Sequence, residues 1–164
     1  MLLFRRILNS VVSALSIALL VHIAGGCSED RSSKVLLDVP SVISKTPVQV
    51  MELLGKPDTT YTETIMGKKL YCQRYHNHNI EIQYPDSLST EIIVYGPHDL
   101  PFTQSALKAF NIPLQEAHPS QHEKNRLMRW YDLNEFETIS FYNVQEDSAG
   151  AVKNFNVFFK AKKK

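Results

Sequence analysis

The chain has 164 residues, 43% of them hydrophobic and 21% charged, which leaves room for one domain or two very small ones and excludes disordered and fibrous classes. Its formal charge of +1 falls to about −1 once residues 1–26, which hold Arg5 and Arg6 and no acid, are set aside. So even a balance does not suit nucleic-acid binding, and the two cysteines, Cys27 and Cys72, stand in unrelated contexts that make no disulfide framework.

Residues 1–26 have the three parts of an export signal: the basic pair Arg5-Arg6, an apolar core over residues 11–24, and the small residues Ala24-Gly25-Gly26 directly before Cys27. The apolar core is shorter than the roughly 20 residues of a spanning helix, and no later segment is apolar enough to span. The run Ile23-Ala24-Gly25-Gly26-Cys27 resembles the lipobox of bacterial lipoproteins, with Ala24 where leucine is commonest. The resemblance implies cleavage before Cys27 and diacylation of its thiol, and two acyl chains anchor a protein stably where one does not. Under the sorting rule of diderm bacteria, Ser28 after the cysteine implies the outer membrane, facing the periplasm, over the inner membrane. The alternative is a plain secretory signal cut near Gly26, which leaves Cys27 a free thiol.

Residues 27–45 read as the lipidated cysteine and a tether, although Val35-Leu36-Leu37 is apolar enough to add a strand. A helix is expected to open at Pro47, with Thr46 as its N-cap, Gln49 completing a capping box, Val48, Met51 and Leu54 as its apolar stripe, and Gly55 as its stop. Strand-type runs follow at 60–66, 69–75, 80–84 and 91–95, separated by turn signals at Met66-Gly67-Lys68, His76-Asn77-His78-Asn79 and Pro85-Asp86-Ser87. The same order recurs from Thr103, a second N-cap, with Phe102 placed to staple onto Leu107 and a short helix ending at Phe110-Asn111. Pro57 precedes Tyr75 by 18 residues and Pro113 precedes Tyr131 by 18, a period of about 56. The expected fold class is therefore α+β: two tandem helix-plus-antiparallel-sheet units, 46–100 and 101–164, sharing one core because either alone would bury too little apolar surface.

The stretch Val50-Met51-Glu52-Leu53-Leu54-Gly55-Lys56-Pro57-Asp58, followed by strands that carry aromatics, resembles the opening of the SmpA/OmlA family of small outer-membrane lipoproteins. That resemblance implies a part in assembling β-barrels in the outer membrane. The doubled unit is similar in general architecture to the β-lactamase inhibitory protein, which implies a sheet that binds a protein partner through aromatic side chains. The second unit, and the missing glycine-centred turn after Tyr84, depart from the single-unit SmpA/OmlA pattern.

Sites for chemistry are sparse. His76 with His78 and His118 with His122 lack the tight four-ligand spacing of a zinc site. Cys72 and His76 stand four positions apart on a strand, about 13 Å, beyond the reach of a thiol and its base. No serine triad, phosphate loop or dinucleotide fingerprint is present, and Glu135 with Glu137 reads as a solvated strand face. Lys160, Lys162, Lys163 and Lys164 form a basic tail suited to solvent or to anionic head groups. Aromatics on strands are the better clue, since tyrosine and tryptophan cover interface area at little rotamer cost. Tyr71 and Tyr75, expected on the face opposite Leu70 and Cys72, and Arg129 with Trp130, are the expected exposed binding patch.

The sequence thus predicts a non-catalytic protein-binding module in the cell envelope, held to the membrane through Cys27, with no metal, cofactor, nucleic acid or small-molecule substrate. The alternatives are an inhibitor that blocks an enzyme, as the β-lactamase inhibitory protein does, and a metal-dependent envelope hydrolase.

Overall fold

The computed structural model describes residues 34–163 apart from Met66, His98 and residues 114–117. The expected export segment, Cys27, the start of the expected tether and Lys164 lie outside the described residues. From Lys34 onward the elements are α1 (Val39–Val42), α2 (Pro47–Leu54), β1 (Thr59–Ile65), β2 (Lys68–Tyr75), β3 (Ile80–Tyr84), β4 (Glu91–Tyr95), β5 (Gln121–Glu123), β6 (Leu127–Tyr131), β7 (Phe136–Glu146) and β8 (Val152–Ala161), with 3₁₀ turns at His76–His78 and Gln104–Phe110.

All eight strands belong to one antiparallel sheet in the order β1-β2-β3-β4-β8-β7-β6-β5. This corrects the expected α+β class of two helix-plus-sheet units. The sheet runs without a break across the boundary expected at residue 100, through the pairing of β4 with β8. The helices are too few and too short to make a layer for each half. α2 begins and ends where its caps put it: Gln49 N–H donates to Thr46 Oγ1 at 3.3 Å, Thr46 N–H donates to Gln49 Oε1 at 3.0 Å, and Gly55, at φ +84°, closes onto the Met51 carbonyl. Only Val50 of α2 is fully buried; Val48 and Met51 of the expected stripe face solvent. The second expected helix is a 3₁₀ segment, and Thr103 bonds to Ser105 Oγ rather than capping the backbone. Asn111, in the left-handed region at φ +57°, ends that segment after seven residues.

One face of the sheet carries the core. Its rows, read across the strands, are Tyr75-Ile80-Val94-Val157-Phe141-Met128 and Ile82-Ile92-Phe159-Ile139-Trp130. Val39 and Val42 of α1, Val50 of α2, and Leu107 and Phe110 of the 3₁₀ segment join the same cluster. Phe110 meets Phe159 edge-on with centroids 5.1 Å apart, and Phe102 meets Phe155 edge-on at 5.3 Å. Residues expected in the tether also belong here: Leu37 and Ile43 are buried, and the Leu36 amide donates to the Ala109 carbonyl at 2.7 Å. Two buried polar groups pin this layer to the sheet. Ser89 Oγ donates to the Val42 carbonyl at 2.6 Å and accepts from the Lys45 amide. Gln73 accepts from the Tyr75 and Tyr84 hydroxyls and donates to the Pro47 carbonyl at the start of α2.

Candidate functional site: the uncovered sheet face

Side chains alternate across a sheet, so the strand residues between the core-facing ones point to the second face, which no helix covers among the described residues. Two rows of directly opposed residues cross it. One runs Thr59-Arg74-Glu81-Ile93-Phe158-Ser140-Arg129-Gln121, the other Tyr61-Cys72-Gln83-Glu91-Lys160-Thr138-Tyr131. Ile93, Tyr95, Tyr142 and Phe158 are half-buried here, and Tyr131 is half-exposed.

Over β1 to β4 the face is organised around Glu81, which is only 3% exposed. Its Oε2 accepts from Arg74 Nε at 3.0 Å, from Arg74 Nη2 and from the Tyr95 hydroxyl at 3.2 Å, while its Oε1 accepts from Gln83 Nε2 at 2.9 Å. Burial pushes this carboxyl up, but the hydrogen bonds from Arg74, Gln83 and Tyr61 outweigh it and hold the group below the usual carboxylate range. The Arg74 guanidinium lies 5.5 Å from the Tyr61 ring centroid and 5.9 Å from that of Tyr95, so the cation sits between two aromatic faces. Burial, with the charge of Glu81 beside it, pushes the Tyr95 hydroxyl up to about 12. The result is an internally hydrogen-bonded plate in which the Arg74 and Glu81 charges offset each other.

Over β4, β8, β7 and β6 lies a groove of about 490 Å³ with Ile93 and Phe158 on its floor and Tyr131, Tyr142, Arg129, Ser140, Thr138, Glu91 and Lys160 around it. Lys160 is paired with Glu137 at 3.0 Å. Arg129 donates through Nε to Ser140 Oγ at 2.9 Å, and its guanidinium carbon stands 6.0 Å from the Tyr131 ring centroid. The groove therefore offers an apolar floor, an aromatic rim and an arginine fork, a chemistry suited to holding a partner's apolar side chain beside a carboxylate or carbonyl.

The expected site residues divide. Arg129 lies half-buried on the uncovered face. Trp130, its neighbour, is 1% exposed and packs edge-on against Phe141 in the core. Tyr75, 2% exposed, is likewise core, and burial pushes its hydroxyl up to about 12. Tyr71 is half-buried on the core side beside Tyr84, with ring centroids 5.7 Å apart. The two faces of β2 are thus the reverse of the expected ones: Cys72 and Leu70 share the uncovered face with Arg74. The expected patch left out Tyr61, Tyr95, Tyr142, Glu81 and Phe158, which the structure places on the uncovered face. The signal lay in β3, where Glu81 and Gln83 alternate with Ile80, Ile82 and Tyr84 and mark which side lacks a core.

Catalytic chemistry finds little support in these contacts. The Cys72 thiol, fully buried 3.9 Å from Glu63 Oε1, is pushed up to about 11 by burial and by Glu63 and Glu81, so it stays protonated at neutral pH. Glu63, Cys72 and Glu81 bring ligand-type atoms within 4.8 Å of one another. Both oxygens of Glu81 already accept from Arg74, Tyr95 and Gln83, bonds that the carboxylate would have to give up to serve as a ligand. His76 and His78 are exposed in a 3₁₀ turn, and among the described residues no histidine joins that trio. In the comparisons with known proteins, no family model, no curated protein and no solved structure matches the chain.

Proposed function

We propose that this protein is an exported, lipid-anchored binding module, held to a bacterial membrane through Cys27, that engages a protein of the cell envelope through the uncovered face of its sheet. The observation that carries the reading is the face itself. Evolved monomers seldom leave half-buried aromatics, an apolar floor and arginines together on one side of a sheet unless that side is used. The lipobox-like run before Cys27 supports the location, and the protonated Cys72 and occupied Glu81 support binding over catalysis.

Intact mass and membrane fractionation, with wild type beside Cys27→Ala in a diderm host, test the anchor. The expected result is a cleaved, diacylated wild type in the membrane fraction and a soluble or uncleaved variant. An unmodified wild type in the soluble fraction would overturn the lipoprotein reading.

A further inference from the structure

A sheet has two edges, and this one treats them differently. The β5 edge is blunted, as edges usually are, by being only three residues long and carrying His122 and Glu123. At the other end β1 presents seven residues, Thr-Thr-Tyr-Thr-Glu-Thr-Ile, five of them exposed, with no proline, no lysine and no bulge in seven consecutive pairs with β2. Among the described residues β1 has no second neighbour, so its outer edge is a row of backbone donors and acceptors on mostly β-branched residues, the kind of surface that takes another strand.

We infer that the occupant is β1 of a second copy, added antiparallel about a two-fold axis at Thr62. Self-pairing is specified by the sequence. With Thr62 opposite itself, all seven residues find partners: Thr60 faces Thr64 of the other copy, Tyr61 faces Glu63, and Thr59 faces Ile65. Hydroxyl pairs of this kind stabilise adjacent strands, and no like charges meet. Moving the axis to Glu63 opposes two carboxylates, and moving it to Tyr61 leaves two residues unpaired. The centred register supplies about six to eight interchain backbone hydrogen bonds and is isologous, so assembly stops at the dimer. Because both copies keep their second face uncovered, the pairing joins two binding faces into one continuous sheet.

Cysteine cross-linking of the full chain in its own membrane tests the register. Directly opposed residues lie about 4.5–5.5 Å apart between Cα atoms, within disulfide range, whereas positions four residues off register lie about 13 Å apart. Thr62→Cys is expected to give an oxidised dimer on a non-reducing gel, Thr60→Cys none, and the double variant Thr60→Cys/Thr64→Cys a dimer again, with wild type as the control for Cys27 and Cys72. Thr62→Lys and Thr62→Asp, each repelling itself at the axis, are expected to be monomeric alone and to pair when co-expressed. Equal linking from Thr60→Cys, no linking from Thr62→Cys, or a Thr62→Cys product with another protein would overturn the proposal.

Discussion

Glu81 is the residue on which the uncovered face depends most. A carboxylate this buried is tolerable only because its oxygens accept from Arg74, Tyr95 and Gln83. Its folded-state value is depressed. The stability it contributes is therefore fully present above the unfolded carboxylate range, near about pH 4.3, and is lost as pH falls through the lower folded value. Urea midpoints of wild type and Glu81→Gln should accordingly converge as the pH is taken down below about 4. Arg74→Ala leaves the carboxylate buried and unpaired. With the Arg74 side chain 42% exposed, water replaces part of what is lost, and the expected cost is about 2 kcal/mol rather than the larger penalty of a fully buried pair. A midpoint unchanged by Arg74→Ala would show that the network carries no stability.

Elements differ in how far they can be read locally. Capping is local chemistry, so Thr46, Pro47, Gln49 and Gly55 placed both ends of α2, and Gly67 and Asn79 marked the turns that bound β2 and β3. The strands observed from Thr59 to Tyr95 lie within a residue of those expected from alternation. Which stripe of α2 faces inward was not legible, because Val48, Val50, Met51, Leu53 and Leu54 leave nearly every side of an eight-residue helix apolar. Contact with the sheet decides it in favour of Val50. Val50→Ala should therefore lower stability by about 1.5–3 kcal/mol, and Val48→Ala, 58% exposed, by no more than about 0.5 kcal/mol; denaturant midpoints of the two variants check the assignment. Similar losses from both would place the helix differently.

For the whole molecule, the decisive contact is the least local of the strand pairings. β4 and β8 pair residues some 65 positions apart in the chain, with Ile93 opposite Phe158 and Val94 opposite Val157. No turn signal or period encodes such a pairing, and it turns what reads as two units into one sheet. The same pairing explains the misplaced site residues. Once all strands share one sheet, a single face holds the core, and Trp130 and Tyr75 fall on it while Tyr95, Phe158 and Tyr142 fall on the other. Arg129 and Trp130 are neighbours on one strand and so point to opposite faces, which is why they do not form one exposed patch: Arg129 lies on the uncovered face and Trp130 in the core.

Photo-cross-linking from each side of the sheet, in the membrane of the producing cell, tests the binding role most directly. A photoreactive residue at Tyr142 or Phe158, on the uncovered face, is expected to trap one envelope protein, and the same group at Val48 or Leu53 on the exposed side of α2 is expected to trap none. Equal products from α2, or none from the sheet face, would contradict the assignment of that face as the binding surface.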